Sequence, residues 1–352
     1  MSRLSRAEMQ GRNRARVLGA AQDEFTERGF REAKIDAIAE RAELTRGAVY
    51  SNFPGKRALY FAVLADLAEH ALPDGAPGRT TGDALAALAR AWLSRLPLID
   101  EQQGTARLGM DVMPEVLADE QTRTPYAQLM MLDAVLLGLA LERLRPDGGR
   151  LVRVAETVLT TLHGASQLAA AAPGFLEPFN VVTACAQLAY LDLPDGWPDL
   201  PFTTQVQTVD EPWTPSPAWD SVRGETVPLT DDGVVAVLGL HRASAVEHAV
   251  RAAPNATVTA VLVSSAPDEL MPLARLAVTE LTTCIRAAFP AFAWPRLRVV
   301  YDNTGTLAAA AGIPAVSDTT ETAIRVHAGR VVARADGYGA CHVVATQHHS
   351  IR

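Results

Sequence analysis

"TRGAVYSNFPGKRALY", residues 45–60, decides how the first part of the chain is read. Small residues, two tyrosines, a phenylalanine and a basic pair surround a Pro-Gly that stops any helix. Thr45 can cap a short helix with its own hydroxyl, and that helix ends near Phe53. Just upstream, IDAIAERA (35–42) makes another short helix with Ile35, Ile38, Ala39 and Ala42 inward. Before it, residues 12–29 repeat Val17, Ala21 and Phe25 every four positions, with Gly29 as the stop. After the Pro-Gly, residues 55–72 carry Leu59, Val63 and Leu67 on one stripe. Two short helices joined by a tight turn, the second polar outside, form a helix-turn-helix pattern.

On 45–53, Val49 and Phe53 lie one turn apart and face the core, which leaves Arg46, Gly47, Tyr50 and Ser51 outward. Arg46 can pair bidentately with a guanine edge, and Gly47 lets the backbone approach a groove wall. Thr45 with its helix N-terminus, the Tyr50 hydroxyl and Lys56 are read as phosphate contacts. The charge is distributed to match. Residues 1–60 hold twelve Lys/Arg against eight Asp/Glu, a net +4, in a chain whose total is −8. An acidic protein with a basic head can bind a polyanion through that head. A solvated basic face on a small helical subdomain is the plain alternative, and the spacing of seven constrained positions argues against it.

Residues 12–72 resemble the DNA-binding domain of TetR-family transcriptional regulators. GFREAKIDAIAERAELTRGAVYSNFPGKRALYFAVL follows the family pattern of Gly-Phe, Ile-Ala, then Thr-x-Gly-x-Val-Tyr-x-x-Phe-x-x-Lys-x-x-Leu. The resemblance implies that Thr45, Arg46, Gly47, Tyr50, Ser51 and Asn52 lie at or beside the major groove and Lys56 on the backbone. Two positions depart from the pattern. Ala33-Lys34 stands where the family often has two hydroxyl residues, so a cap is lost and Lys34 becomes a further phosphate candidate. Glu43 stands where the turn usually has Gly. The resemblance also implies a homodimer on double-stranded operator DNA, acting as a repressor released by a small apolar molecule.

Apolar helical segments follow at about 83–97, 105–120, 125–145, 148–171 and 175–192. Trp92, Met110, Met113, Tyr126, Met130, Met131, His163 and Gln167 suit an adaptable effector pocket, although apolar residues at helical spacing are more often plain core. The Ala-rich segments at 148–192 are the expected dimer interface. Residues 194–228, with seven prolines and three tryptophans, read as a linker. From 229 the buried-strand runs GVVAVLGL and ATVTAVLVSS alternate with helices and end in a hairpin turning at Ala328-Gly329. The expected fold is therefore multidomain: 1–72 helix-turn-helix, 73–193 helical ligand-binding and dimerisation domain, and 229–352 an α/β domain separate from that helical front.

The order of elements in 229–352 resembles a thioredoxin-like fold. The family's thiolate position falls at His241–Ser244, where no cysteine stands, so the domain is expected to be redox-inactive, with Trp213, Trp219 or Trp294 packing it on the helical domain or on a partner subunit. A regulator fused to an active redox or detoxifying enzyme is the alternative, and an adaptor without DNA binding is disfavoured by residues 45–56. Cys341-His342 and His348-His349 lack four ligands at metal spacing, so neither metal nor cofactor is expected. The three cysteines, Cys185, Cys284 and Cys341, are odd in number and far apart, which fits a reducing cytoplasm. No uninterrupted apolar run of about 18 residues suggests a membrane span, and the basic start has no apolar region of a secretory signal.

Overall fold

The computed structural model describes residues 5–71, 75–96, 105–196, 200 and 204–347. Helix α1 (Arg6–Glu32) opens with a capping box: Ser5 Oγ accepts from the Glu8 N–H, and the Glu8 carboxylate accepts from the Ser5 N–H. At Gly29 the backbone leaves helical geometry with φ 74°. Short α2 (Ile35–Arg41) and α3 (Arg46–Tyr50) follow, and α4 (Lys56–His70) starts after Gly55. Val17, Phe25, Ile38, Val49, Phe53 and Leu59 are buried between them, and the Tyr60 ring packs 4.7 Å from Phe30 and 5.4 Å from Phe25.

Helix α4 departs from the expected single stripe. Ala58 to Ala65 and Ala68 are all buried, so the helix is covered on every side. Around it stand α5 (Thr81–Leu93), a 3₁₀ turn (Thr105–Asp111), α6 (Val112–Leu117), α7 (Glu120–Leu144), α8 (Val152–Ala171) and α9 (Pro178–Leu188). Among the described residues α7 alone is long and apolar enough to cross a membrane, and most of its apolar window is buried inside the protein.

The rest of the chain builds a mixed sheet of β1 (Gln207–Pro212), β4 (Gly233–Gly239), β5 (Thr257–Val263), β6 (Leu297–Tyr301), β7 (Glu321–His327) and β8 (Arg330–Asp336), in the order β1-β8-β7-β4-β5-β6. Strands β4, β5 and β6 are parallel; β7 runs antiparallel to β4, β8 to β7 and β1 to β8. The strand period of two sends Val234, Ala236 and Leu238 to one face and Val235 and Val237 to the other. Strands β2 (Ala218–Asp220) and β3 (Glu225–Val227) form a small separate ribbon. Helices α10 (Val246–Ala252), α11 (Pro267–Ala288) and α13 (Ala340–Ala345) contribute to the first face, and α12 (Thr306–Ala310) to the second.

Two expectations are corrected here. The stretch 194–228 is not simply a linker, because β1 forms the sheet edge against β8. Trp213 is 1% exposed on the second face, its indole N–H donating 2.6 Å to the Leu229 carbonyl. Prolines read as loop, yet an edge strand tolerates them. Trp213 thus packs on the sheet and not on the helical domain; Trp294 packs on the larger core, Trp219 is exposed, and Trp197 lies outside the described residues.

The second correction concerns separateness. One apolar core runs from the head through the helical region to the first face of the sheet. Helix α11 lies at its centre, packed on α4, α5 and α7. Ion pairs reinforce the seam: Arg57 of α4 sits 2.8 Å from both Asp119 and Glu269, Arg275 of α11 3.3 Å from Glu69, and Arg251 of α10 2.6 Å from Glu142.

Candidate nucleic-acid interface and helical cavity

Helix α3 is held by its ends. Thr45 Oγ1 accepts from the Ala48 N–H at 3.2 Å, and Val49 is buried. At the other end Ser51 Oγ and Asn52 Nδ2 both donate to the Ala48 carbonyl, at 2.9 and 2.8 Å. Arg14 of α1 donates 3.0 Å to the Asn52 carbonyl while its guanidinium lies 4.2 Å from the Phe53 ring centre. The helix is pinned from inside, which leaves its outer face to Thr45, Arg46, Gly47, Tyr50 and Ser51, all exposed. The Arg46 guanidinium stands 5.6 Å from the Tyr50 ring and 3.3 Å from the Asp36 carboxylate, a solvent-exposed pair of small energetic worth. A side chain at Gly47 would meet only Thr45 Oγ1, at 3.9 Å, so the backbone there is open to an approaching surface.

Lys34 is exposed at the N-cap of α2, where no side-chain hydrogen bond caps the helix. Lys56, half-exposed at the start of α4, also has contacts within the head. Its ammonium donates 3.1 Å to the carbonyls of both Arg31 and Ala33 and lies 4.6 Å from the Phe30 ring. It ties the end of α1 to the start of α4. Asn52 is likewise half-buried and braces the end of α3. Arg14, which the sequence reading did not single out, belongs to the same bracing set; its signal is the spacing that puts it one helical turn from Val17 and Leu18.

The second feature is a cavity of about 380 Å³. Trp92, Met110, Met113, Tyr126, His163 and Gln167 all line it, with Leu64 and Leu67 from α4. Met130 is half-buried against the core outside this lining, and Met131 is 49% exposed. The Trp92 indole N–H donates 2.9 Å to Ser166 Oγ, and the His163 ring meets Trp92 edge-on at 5.0 Å. Burial pushes the His163 imidazole down to about 4, so at neutral pH it is uncharged. Two charged residues complete the wall, Arg95 from just past the end of α5 and Glu280 from α11. Arg95 donates to the Glu280 main-chain carbonyl at 3.1 Å and to Cys284 Sγ at 2.9 Å, and lies 5.3 Å from the Trp92 ring. Burial raises the Glu280 carboxyl above the usual range, and Arg95 opposes that rise.

Neither Arg95 nor Glu280 was singled out from sequence. The signal for Glu280 was present: Leu273, Ala277, Glu280 and Cys284 recur every three or four residues, so an acid stands on an apolar stripe. The cysteines are all buried, and burial raises their thiols, Cys185 to about 11. Among the described residues no group of three His, Cys, Asp or Glu could hold a metal, and His348-His349 lie outside them.

Residues 17–63 match the model of bacterial regulatory proteins of the tetR family. The chain is 43% identical over 65 residues to the HTH-type transcriptional regulator SrpR of Pseudomonas putida, covering 18% of this chain and 30% of that protein. The uncharacterized HTH-type transcriptional regulator TtgW, also of Pseudomonas putida, is 43% identical over 65 residues, covering 18% of this chain and 48% of that one. The chain thus spans less than half of either relative. A crystal structure of a TetR transcriptional regulator from Rhodococcus sp. RHA1 aligns over 52% of this chain and 95% of its own, at 18% identity and a TM-score of 0.35. The N-terminal domain of this chain is a TetR-family regulator domain, followed by a region of mixed sheet and helices.

Proposed function

We propose that the protein is a transcriptional repressor of the TetR type that binds operator DNA as a homodimer and is released by a small, largely apolar molecule. The observation that carries this reading is the exposed face of α3, where Arg46, Gly47 and Tyr50 stand clear of a helix pinned from behind. In this reading Arg46 reads a base edge, while Thr45, Tyr50, Ser51 and Lys34 position the helix on phosphates. The cavity against α4 supports the release step, since that helix carries the head at one end and lines the cavity with Leu64 and Leu67. Exposed Leu168, Phe175 and Phe179 on and between α8 and α9, with Tyr190 just past α9, support a two-fold interface there. The order β8-β7-β4-β5, with β7 reversed, supports a thioredoxin-like identity for the sheet. The buried thiols support a redox-inactive one, with a cytoplasmic location for the whole.

The test is selection of binding sites from random duplex DNA with the full chain. A near-palindromic site should emerge, with half-sites about 34–36 Å apart or a multiple of that. Arg46→Ala should then cost about 1–3 kcal/mol at one base position and relax the preference there. No enriched sequence, or unchanged preference in the variant, would remove α3 from its proposed role. Peroxidase or disulfide reductase activity lost on Cys284→Ser or Cys341→Ser would instead favour the fused enzyme.

A further inference from the structure

The cavity has one feature that an ordinary apolar pocket lacks. Glu280 reaches it from α11, in the α/β region, and no hydrogen bond or ion pair engages its carboxylate among the described residues. Arg95 beside it opposes the rise in its carboxyl but forms no ion pair with it. Arg95 Nη2 donates to the Glu280 main-chain carbonyl and to Cys284, and its guanidinium lies 5.3 Å from the Trp92 ring centre. The other polar groups of the wall are accounted for or neutral: the Trp92 N–H donates to Ser166 Oγ, which itself donates to the Leu162 carbonyl, and His163 is uncharged. Glu280 is half-buried in the wall, and a carboxylate partly removed from water without a partner is costly, a cost met either by a proton or by a bound cation. The aromatic walls suit the second, since the faces of Trp and Tyr attract a cation desolvated against them. A cavity of about 380 Å³ leaves room for a substantial apolar body around that charge.

We propose that the effector is an organic cation with an aromatic or apolar body, its charge taken up by Glu280, so that the α/β region contributes the residue that selects the ligand of the helical domain. This rests on the cavity being the effector site and names the chemical class of what enters it. It also gives the appended region a use that needs no thiol chemistry.

Three probes of similar bulk separate charge from shape: tetraphenylphosphonium, tetraphenylborate and the neutral triphenylphosphine oxide. Binding to the full chain is followed by calorimetry. The cation should bind at least tenfold more tightly than either of the others. Glu280→Gln should lower its affinity tenfold or more while leaving the neutral probe within twofold, and Glu280→Asp should keep the preference. Thermal unfolding of each variant checks the fold, and removal of an unpaired acid should leave the Glu280→Gln midpoint unchanged or raised. A neutral probe that binds as well as the cation, or a cation whose affinity ignores Glu280→Gln, would overturn the proposal and leave the cavity reading standing. If no probe binds, or if Trp92→Ala changes none of the affinities, the cavity reading itself falls, and the proposal with it.

Discussion

The outer face of α3 and the seam along α11 use charge in opposite ways. On α3, Arg46 and Asp36 are both more than half exposed, and their pairing holds almost nothing in place. The cation stays available because water competes for it. Along α11, Arg57 is 20% exposed and fixed between Asp119 and Glu269, which ties the start of α4 to the tip of α6–α7 and to the α/β region. Removing one partner there strands the other two charges partly out of water. One region keeps its charges loose so that a partner can claim them. The other locks them so that three segments move together. Since α11 carries Glu269 at one end and Glu280 at the cavity, the locked region lies between the place proposed for the effector and the helix that carries the head.

The largest effect should come from breaking the seam. Read from sequence as a separate domain, residues 229–352 are expected on removal to lower dimer stability or change the ligand response, with the isolated head still recognising operator weakly. The structure replaces that expectation, because α11 covers a face of α4 and even hydrogen-bonds it, Thr283 Oγ1 donating to the Ala68 carbonyl at 3.2 Å. A chain ending at residue 204 should lose its cooperative thermal transition and aggregate. The milder Leu281→Ala, at a position 1% exposed, should cost about 2–5 kcal/mol in urea unfolding. A truncated chain that melts cooperatively and holds operator DNA would show that the head and the seam are independent after all.

The contrast between the regions also explains what could be read in advance. The head was legible because its core and its outward face sit within about 60 consecutive residues, where helical spacing, a hydroxyl cap and Pro-Gly all act locally. The strands of the sheet were legible for the same reason: β4 and β5 are unbroken β-rich runs. The seam joins Arg57 to Glu269 and Arg95 to Cys284, residues some 200 positions apart, and no periodicity reports such a pairing. One hint was available. The run ALYFAVLADLA is apolar at every position but Asp66, which marks a central helix that needs cover on more than one side. The cavity residues were legible as types, but the charged part of the wall, Arg95 and Glu280, depends on α11 being there.

A mid-sized effect sharpens the picture of the buried side. Asp133 of α7 is 2% exposed, and its Oδ1 has no hydrogen-bond partner. Burial, with Glu280 adding to it, pushes its carboxyl well above the ordinary value; the other titratable groups facing it are Tyr126 and Tyr301, both themselves shifted upward. The sign follows from proton counting. Between the unfolded and the raised folded pKa the native state holds a proton that the unfolded chain releases, so stability falls as pH rises through that window. Urea unfolding at pH 5 and pH 8 should therefore show a loss in the wild type that Asp133→Asn reduces by about 1 kcal/mol or more. Equal pH dependence in the two proteins would mean that Asp133 is ionised and satisfied in solution.

The smallest effect concerns the turn between α2 and α3, where Glu43 has φ 49°. A left-handed backbone costs a residue with a Cβ about 1–2 kcal/mol, and glycine escapes that cost. Against this, glycine loses about 0.4–1 kcal/mol through the greater freedom of the unfolded chain. The Glu43 side chain itself contributes little: its pair with Arg16, at 2.6 Å, joins a carboxylate 84% exposed to water. Comparing Glu43→Gly with Glu43→Ala cancels the lost ion pair and leaves the backbone terms. The glycine variant should be the more stable of the two by about 1 kcal/mol or less, read from urea midpoints. Both variants also remove a negative charge beside α3, so both should bind duplex DNA of any sequence slightly more tightly at low salt, and by the same amount. An alanine variant as stable as the glycine one would mean that the turn relaxes away from its left-handed geometry at little cost. A gain in DNA binding confined to the glycine variant would make turn flexibility, and not charge, the link between Glu43 and the exposed face.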